Sequence, residues 1–243
     1  MEPLRLGVIG GMGSVAGADF VSRLTSLTPA KADQDYIEVF LHNNARIPDR
    51  SEALLRGGPS PVPELRRSVA LCDRFGADYI VLACVTAHAF IPELQPITQA
   101  EILDGVRLTV DHLVHRHPEV KRAGILASSG NLEVGLFQRP LQAAGITPVL
   151  FDADEQQRYF TEPIYAPWGI KSGHVDGRPR ERFLQGAQRL VERGAQAILG
   201  GCSEIPLILR PSDLPVPLIN TMDILCLTAM ERCLGPLVGK VNP

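Results

Sequence analysis

Two stretches of the sequence decide the fold: Gly76-Ala77-Asp78-Tyr79-Ile80-Val81-Leu82-Ala83-Cys84 and Gly194-Ala195-Gln196-Ala197-Ile198-Leu199-Gly200-Gly201-Cys202. In each stretch a Gly-Ala pair precedes an aliphatic run, and a cysteine lies eight residues after the first glycine. Short aliphatic runs bounded by glycine are typical of buried β-strands. The two stretches lie 118 positions apart, so we interpret them as equivalent strands of an internal repeat.

A second pair of stretches repeats at nearly the same distance. Gly7-Val8-Ile9, followed by Gly13, matches Gly124-Ile125-Leu126, followed by Gly130, at an offset of 117. Strand-like and helix-like segments alternate around these matches, which predicts parallel strands joined by helical crossovers. We predict strands at 4–10, 36–42, 78–83, 96–97, 123–127 and 217–219, and helices at 20–27, 63–75, 104–117 and 222–234.

The repeat predicts an α/β protein with two pseudo-symmetric domains, each a parallel β-sheet flanked by helices. The first domain is expected to comprise residues 1–98 and 212–243 and to carry Cys84. The second is expected to comprise residues 99–211 and to carry Cys202. Ligands of open parallel sheets bind at the carboxyl ends of the strands, so the active site is expected in the cleft between the two domains.

The composition argues against several classes of function. The chain has 243 residues, a net charge of −3 and 45% hydrophobic residues, and no basic cluster with interleaved aromatics. These features predict a packed protein with neither a nucleic acid nor an anionic membrane as partner. No apolar run reaches the ~20 residues of a membrane-spanning helix, and no signal peptide is evident. We therefore expect a cytoplasmic protein that acts on a small molecule.

The five cysteines separate into two groups. Their number is odd and no Cys-x-x-Cys motif occurs, which argues against a disulfide scaffold and a structural zinc site. Cys72, Cys226 and Cys233 fall within helical apolar patterns, and we assign them to core packing. Cys84 and Cys202 instead follow equivalent predicted strands.

The placement of Cys84 and Cys202 suggests acid/base chemistry on opposite faces of one substrate. Thr86 and Ser203 are candidate helix N-caps, and the positive end of a helix would stabilise a thiolate. One thiolate would remove an α-proton and the other thiol would return a proton to the opposite face. This chemistry needs no cofactor, and N–H groups of the glycine-rich turns 10–13 and 200–201 could stabilise the carbanion.

The ordered motifs resemble those of the aspartate/glutamate racemase superfamily, most closely its aspartate racemase branch. The resemblance covers nearly the whole chain. Its motifs are Gly10-Gly11-Met12-Gly13, Thr28-Pro29-Ala30-Lys31-x-Asp33-Gln34-Asp35, Asn43-Asn44-x-x-Ile47-Pro48-Asp49-Arg50, Cys84-x-Thr86-Ala87-His88, Ile164-Tyr165…Ile170-Lys171-x-Gly173 and Gly201-Cys202-Ser203-Glu204-Ile205-Pro206-Leu207.

This resemblance implies an amino-acid racemase that uses no cofactor and no metal and forms a homodimer. The family's two catalytic cysteines correspond to Cys84 and Cys202. A basic pair that holds the side-chain carboxylate of aspartate corresponds to Arg50 and Lys171, since an arginine fork grips a carboxylate and a lysine adds a point charge. Further substrate-binding positions are expected at Met12, Asn43, Val85, Thr86, Asn131 and Ser203.

Three positions depart from the family pattern. Val85 stands where the family has an asparagine that hydrogen-bonds the bound amino acid, Ser203 replaces a threonine, and Ser14 replaces a proline. The loss of a polar contact at Val85 leaves glutamate or a modified acidic amino acid as alternatives to aspartate.

Other readings of the sequence stay open at this point. Gly11-x-Gly13-x-x-Ala16 satisfies a dinucleotide-binding pattern, although the second predicted strand lacks the acidic residue expected at its end. A decarboxylase, hydantoin racemase or maleate isomerase on the same scaffold is a second alternative, and a catalytically silent small-molecule-binding protein is a third. His88, four residues after Cys84, either tunes that thiol or belongs to the core.

Overall fold

The computed structural model describes residues 4–235, which form two compact units. The first comprises residues 4–105 and 222–235, and the second comprises residues 106–221. The predicted domain boundaries lie after residues 98 and 211, whereas the units meet after residues 105 and 221. Each unit contains one sheet of four parallel strands, and the expected α/β class is confirmed.

The first unit is built around a sheet with strand order β2-β1-β3-β4. Its strands are β1 (Leu6–Gly10), β2 (Val39–Asn43), β3 (Tyr79–Leu82) and β4 (Glu101–Ile102). Its helices before residue 105 are α1 (Ser14–Leu27), α2 (Arg50–Arg56), α3 (Val62–Phe75) and α4 (Ile91–Leu94), with 3-10 turns at Asp33–Asp35, Val85–Phe90 and Gln95–Ile97. Helices α1 and α3 pack on β1 and β2, and the core lies between these layers.

The second unit repeats this architecture with the strand order β6-β5-β7-β8. Its strands are β5 (Arg122–Ala127), β6 (Thr147–Val149), β7 (Ala197–Gly201) and β8 (Leu218–Asn220). Its helices are α5 (Gly105–Arg116), α6 (Ser129–Glu133), α7 (Gln138–Ala143), α8 (Ala153–Gln156), α9 (Glu162–Tyr165), α10 (Arg178–Glu192) and α11 (Ile205–Ile208), with a π-helical segment at Gln157–Thr161 and 3-10 turns at Ile170–Ser172 and Pro211–Asp213.

The last helix, α12 (Thr221–Leu234), returns the chain to the first unit, whose segments include residues 222–235. Arg23 on α1 pairs with Asp223 at its start, and Cys226 packs against the carbonyl of Phe20. No helix within residues 4–235 combines the length and the apolar character that a bilayer crossing needs.

The prediction of a strand at residues 96–97 is wrong. Gln95–Ile97 forms a 3-10 turn, and the edge strand is Glu101–Ile102. The side chain of Gln95 explains the turn, because it donates to the carbonyl of Ala100 and accepts from the amide of Ile102. These bonds bind the turn to the strand that follows it, and Pro96 has no N–H to give to a ladder.

Equivalent glycines in β1 and β5 let a helix approach each sheet closely. A Cβ atom on Gly7 would lie 2.7 Å from Cys72 Sγ, and one on Gly124 would lie 2.6 Å from Ile198 Cδ1 and 3.1 Å from Leu190 Cβ. Cys72 lies on α3 and Leu190 on α10. The same residue type therefore serves the same packing purpose in both halves of the repeat.

We expect Gly7→Ala to destabilise the protein by about 1–3 kcal/mol, because the added methyl group overpacks the contact between β1 and α3. The measurement is the free energy of unfolding in urea. Adding Cys72→Ala to Gly7→Ala removes the nearest clashing atom and should restore part of the loss. A Gly7→Ala variant as stable as the native chain would contradict this account of the packing.

Candidate active site

The candidate residues of the first unit gather at the carboxyl edge of its sheet. The strands β1, β2 and β3 are in parallel register, with Gly10 opposite Asn43 and Ile9 opposite Leu82. The residues that follow the strands, including Met12 and Cys84, therefore emerge at one edge. This is the edge where ligands of parallel sheets bind.

Cys84 lies at the point where the chain leaves β3 and begins a 3-10 helix. Its backbone is extended and it occupies the N-cap position of Val85–Phe90, without a capping bond from its side chain. Its side chain is buried, as are Val85 and Thr86. The predicted N-cap role of Thr86 is wrong, because the turn already begins at Val85. A six-residue 3-10 segment aligns few peptide dipoles, so it gives a thiolate less support than a long helix would.

His88 anchors the backbone of Cys84. Its Nδ1 lies 3.1 Å from the carbonyl oxygen of Cys84. Burial lowers the pKa of His88, with partial opposition from the Asp104 carboxylate, so the ring is neutral at neutral pH. Because a carbonyl only accepts, Nδ1 carries the proton and donates it. Of the two roles left open for His88, this contact supports that of a buried histidine that positions the chain.

Arg50 joins two loops at the same edge of the sheet. Although arginine is usually exposed, only 6% of Arg50 is accessible. Its Nη2 donates to the carbonyl of Met12 at 2.7 Å, and its Nη1 donates to the carbonyl of Pro48 at 2.9 Å. The residue begins α2, directly after the N-cap Asp49. The structure thus brings together two predicted site residues, Arg50 and Met12.

Asn43, at the end of β2, is exposed. Its Nδ2 donates to the carbonyl of Ser14 at 3.3 Å, across the turn that follows β1. Asn43 therefore links the end of β2 to the start of α1 and is exposed at the carboxyl edge of the sheet.

The second unit presents Cys202 at the equivalent place, directly after β7. Its Sγ donates to Oε2 of Glu204 at 2.9 Å, and Ser203 Oγ lies 3.1 Å from the same oxygen. All three residues are buried, with Glu204 only 4% exposed. The predicted N-cap role of Ser203 is wrong, because α11 begins at Ile205 and Glu204 occupies the N-cap position. With four residues, α11 provides only a small dipole.

Asn131 lies on α6 and connects this helix to the residue that precedes Cys202. The residue is fully buried, its amide N–H donates to Ser128 Oγ at 3.3 Å, and its Nδ2 donates to the carbonyl of Gly201 at 3.3 Å. Within the described chain, its Oδ1 has no hydrogen-bond partner. Oδ1 of Asn131 can therefore accept a hydrogen bond, as expected of a predicted substrate-binding residue.

Lys171 lies on the surface of the second unit, in the 3-10 turn Ile170–Ser172. Its Nζ is 4.2 Å from the ring centroid of Tyr165, which is itself exposed. A cation over an aromatic face is stabilised by the ring quadrupole. The lysine therefore presents its charge at the surface, in contrast to the buried guanidinium of Arg50.

The other three cysteines are part of the core, as predicted. Cys72, Cys226 and Cys233 are buried thiols outside any disulfide. Burial raises the pKa of Cys72 and of Cys233 to about 12, and it raises the pKa of Cys226 as well. These thiols stay protonated at physiological pH and are poor nucleophiles and bases.

Glu204 is the residue of this site that sequence reasoning missed. It stands within the motif Gly201-Cys202-Ser203-Glu204-Ile205-Pro206-Leu207, and its position two residues after a candidate base was the available signal. Residues 4–235 contain no cluster of three or more His, Cys, Asp or Glu side chains that could hold a metal ion.

Comparisons with known proteins agree on one family. A model described as Asp/Glu/Hydantoin racemase matches residues 9–229. A broad specificity amino-acid racemase from Bacillus subtilis is 21% identical over 95% of this chain and 98% of its own length. The structure of Picrophilus torridus aspartate racemase superposes with a TM-score of 0.82 at 26% identity and covers 94% of both chains. Glutamate racemase from Campylobacter jejuni has a TM-score of 0.64 at 16% identity over 99% of this chain and 89% of its own.

Proposed function

Since the chain belongs to the Asp/Glu/hydantoin racemase family and is an amino-acid racemase, we propose that it inverts an acidic amino acid, with aspartate as its substrate. Cys84 and Cys202 act as the two bases. The observation that carries the proposal is their equivalent placement at the carboxyl edge of a sheet of the same order. Each follows the third strand of its unit in chain order, Cys202 directly and Cys84 after one intervening residue.

The proposed reaction is a two-base proton transfer. One cysteine thiolate removes the α-proton, and the electron pair moves into the substrate carboxylate to give an enolate-like carbanion. The other cysteine thiol then donates its proton to the opposite face of the α-carbon, so the configuration inverts. One thiolate and one thiol are present before and after each turnover, and their roles have exchanged. No cofactor or metal is required in this scheme.

The carbanion is the costly species, so the site must stabilise its charge. The backbone N–H groups of Gly11, Met12 and Gly13 are the proposed donors in the first unit, in the turn that Arg50 holds through the carbonyl of Met12. In the second unit, helix α6 contributes Asn131, whose side-chain amide donates to the carbonyl of Gly201, the residue before Cys202. We propose that these groups bind the α-carboxylate and the amino group, together with Asn43, Thr86 and Ser203.

The preference for a dicarboxylic substrate rests on Arg50 and Lys171. A buried guanidinium is a strong and geometrically selective partner for a carboxylate, and Lys171 adds a second positive charge. The solved aspartate racemase from Picrophilus torridus, 26% identical to this chain, supports aspartate. We also propose that the protein is cytoplasmic and forms a homodimer; both statements remain predictions from the sequence.

Glutamate or a modified acidic amino acid is the alternative substrate, and Val85 is the observation that favours it. Val85 is 1% exposed and directly follows Cys84. A valine offers a bound amino acid no hydrogen bond. A broader or shifted substrate preference would therefore be compatible with an intact pair of thiols.

The test is racemisation in heavy water. Incubation of the protein with L-aspartate in D₂O is expected to give D-aspartate that carries deuterium at the α-carbon, because the returned proton comes from a thiol that has exchanged with solvent. Chiral chromatography and mass spectrometry measure both products. L-Glutamate run in parallel distinguishes the alternative, and heat-inactivated protein is the control. If neither amino acid inverts or exchanges its α-proton, the substrate proposal is wrong.

A further inference from the structure

We propose that Glu204 holds Cys202 in the protonated thiol form, so that Cys84 is the base and Cys202 the acid in the predominant resting state. Glu204 is thereby a positioning residue that makes a symmetric pair of thiols electrostatically unequal. The inference rests on the proposed two-thiol racemisation for its meaning, but its geometric basis is independent of the substrate.

The hydrogen-bond pattern indicates that Glu204 is an acceptor. Cys202 Sγ and Ser203 Oγ lie 2.9 Å and 3.1 Å from one carboxylate oxygen. A single oxygen that faces two donors is satisfied when it is the acceptor of both, which a carboxylate oxygen can be. The S–H of Cys202 is then the donor, and the hydrogen bond stabilises the thiol.

Burial strengthens this effect. Cys202 is 9% exposed and Glu204 is 4% exposed, and Cys202 packs among apolar side chains that include Leu126, Phe160 and Ile205. Two negative charges in contact repel each other much more strongly in such surroundings than in water. Loss of the thiol proton would place a thiolate directly against a carboxylate and break the bond that joins them.

The charged groups on the neighbouring elements are engaged elsewhere. Helix α10 packs against α11 and β7, and its charged residues are exposed or half-buried, with Arg180 paired to Asp213 and Arg189 paired to Glu155. On β5, Arg122 is exposed and donates to the carbonyls of Arg193 and Gly194. Strand β8, Leu218–Asn220, contains no ionisable side chain. Glu204 differs from these groups because its carboxylate oxygen contacts the thiol directly, at 2.9 Å.

The equivalent position in the first unit lacks this charge. At the offset of 118 that relates Cys84 to Cys202, Thr86 corresponds to Glu204. Thr86 is buried and uncharged, and His88, whose pKa burial lowers, is neutral. The internal repeat thus places the two thiols equivalently but surrounds them differently.

The unequal protonation of Cys84 and Cys202 in the resting state has a defined kinetic consequence. The resting form with a Cys84 thiolate and a Cys202 thiol is ready for the enantiomer whose α-proton faces Cys84. Turnover leaves a Cys202 thiolate beside Glu204, the less stable form, which is ready for the other enantiomer. Because the equilibrium constant of a racemisation is one, kcat/KM stays equal for both enantiomers, and the asymmetry is expressed in kcat and KM separately.

The experiment measures the pH dependence of alkylation at Cys202 itself. Native protein and Glu204→Gln are treated with iodoacetamide between pH 5 and pH 10, and the rate at the peptide that carries Cys202 is followed by mass spectrometry. The midpoint of the rate against pH reports thiolate formation and is independent of how accessible the sulfur is. We expect Glu204→Gln to lower this midpoint by at least one pH unit, which raises the thiolate fraction below the midpoint about tenfold.

Two variants separate charge from local structure. Glu204→Asp retains the charge and should keep the midpoint closer to that of the native protein. Glu181→Gln removes a negative charge from an exposed position on α10 and should leave the midpoint unchanged. The peptide with Cys84 is an internal reference in every sample, and its midpoint should not move in Glu204→Gln.

The outcomes decide between the possible roles. A midpoint that rises in Glu204→Gln would show that Glu204 donates to a thiolate and would overturn the inference, and an unchanged midpoint would also overturn it. A lowered midpoint in a protein that racemises no acidic amino acid would leave the electrostatic role intact and refute the proposed function. In an active enzyme, the basic limb of the kcat/KM profile, which reports loss of the proton from the acid Cys202, should move to lower pH with the midpoint.

Discussion

Replacement of either Cys84 or Cys202 by alanine is expected to lower the rate of inversion by at least ~10³-fold in both directions. General acid–base groups contribute roughly 10²–10⁴-fold to a rate, and a two-base inversion needs both groups in each turnover. The measurement is the appearance of the opposite enantiomer of aspartate by chiral chromatography. Each variant is expected to keep slow α-deuterium exchange, without inversion, in the enantiomer that the remaining thiol faces.

Cys233→Ala is the matched control for these variants. Cys233 is 8% exposed and burial raises its pKa to about 12, so it is a protonated core thiol with no acid/base function. Its replacement should leave kcat within about twofold of the native value, provided that the protein remains folded by circular dichroism. If Cys84→Ala or Cys202→Ala inverts aspartate at a rate within tenfold of the control, the two-thiol mechanism is wrong.

The strands and the positions of both cysteines could be predicted because local sequence determines them. A glycine, an aliphatic run and a terminal cysteine at the same spacing define β3 and β7, and the parallel arrangement follows from the alternation of strands and helices. The structure confirms both strands, with Cys202 directly after β7 and Cys84 one residue beyond the end of β3. These features depend on residues that are neighbours in the chain.

The features that could not be predicted depend on backbone angles or on distant parts of the chain. Thr86 and Ser203 have the residue types of N-caps, but the caps are Cys84 and Glu204 because the turns begin at Val85 and Ile205. Sequence proximity alone also does not show that the carboxylate of Glu204 turns back to Cys202. That contact depends on a side-chain conformation selected by the buried surroundings.

Arg50 shows the same limit at longer range. Its hydrogen bond to the carbonyl of Met12 joins residues 38 positions apart, and nothing in the local sequence distinguishes it from an exposed arginine. The motif resemblance singled it out as a carboxylate-binding residue, whereas the structure shows a buried guanidinium that also holds two loops. These two roles have different consequences and can be separated by experiment.

Arg50→Gln is expected to lower kcat/KM for aspartate by about 10²-fold or more, chiefly through KM. Loss of one member of a buried charge pair costs roughly 2–5 kcal/mol, and each 1.4 kcal/mol corresponds to a factor of ten. Arg50→Lys retains the charge without the planar fork of the guanidinium. Its kcat/KM for aspartate should lie between the values of Arg50→Gln and the native protein. Arg46→Gln, which changes an exposed arginine in the same loop, is the control and should retain native kinetics.

A comparison of two inhibitors separates carboxylate binding from loop support. Succinate carries a second carboxylate, and butyrate replaces that carboxylate with a methyl group of similar size. If Arg50 binds the side-chain carboxylate, Arg50→Gln should raise the inhibition constant of succinate by about 10²-fold and that of butyrate by less than threefold. If Arg50 only holds the loops of Met12 and Pro48, the inhibition constants of succinate and butyrate should rise by the same factor. The midpoint of thermal unfolding of Arg50→Gln should then also fall. Equal binding losses for the two inhibitors would remove Arg50 from the charge-based argument for an acidic substrate and leave that argument to Lys171 alone.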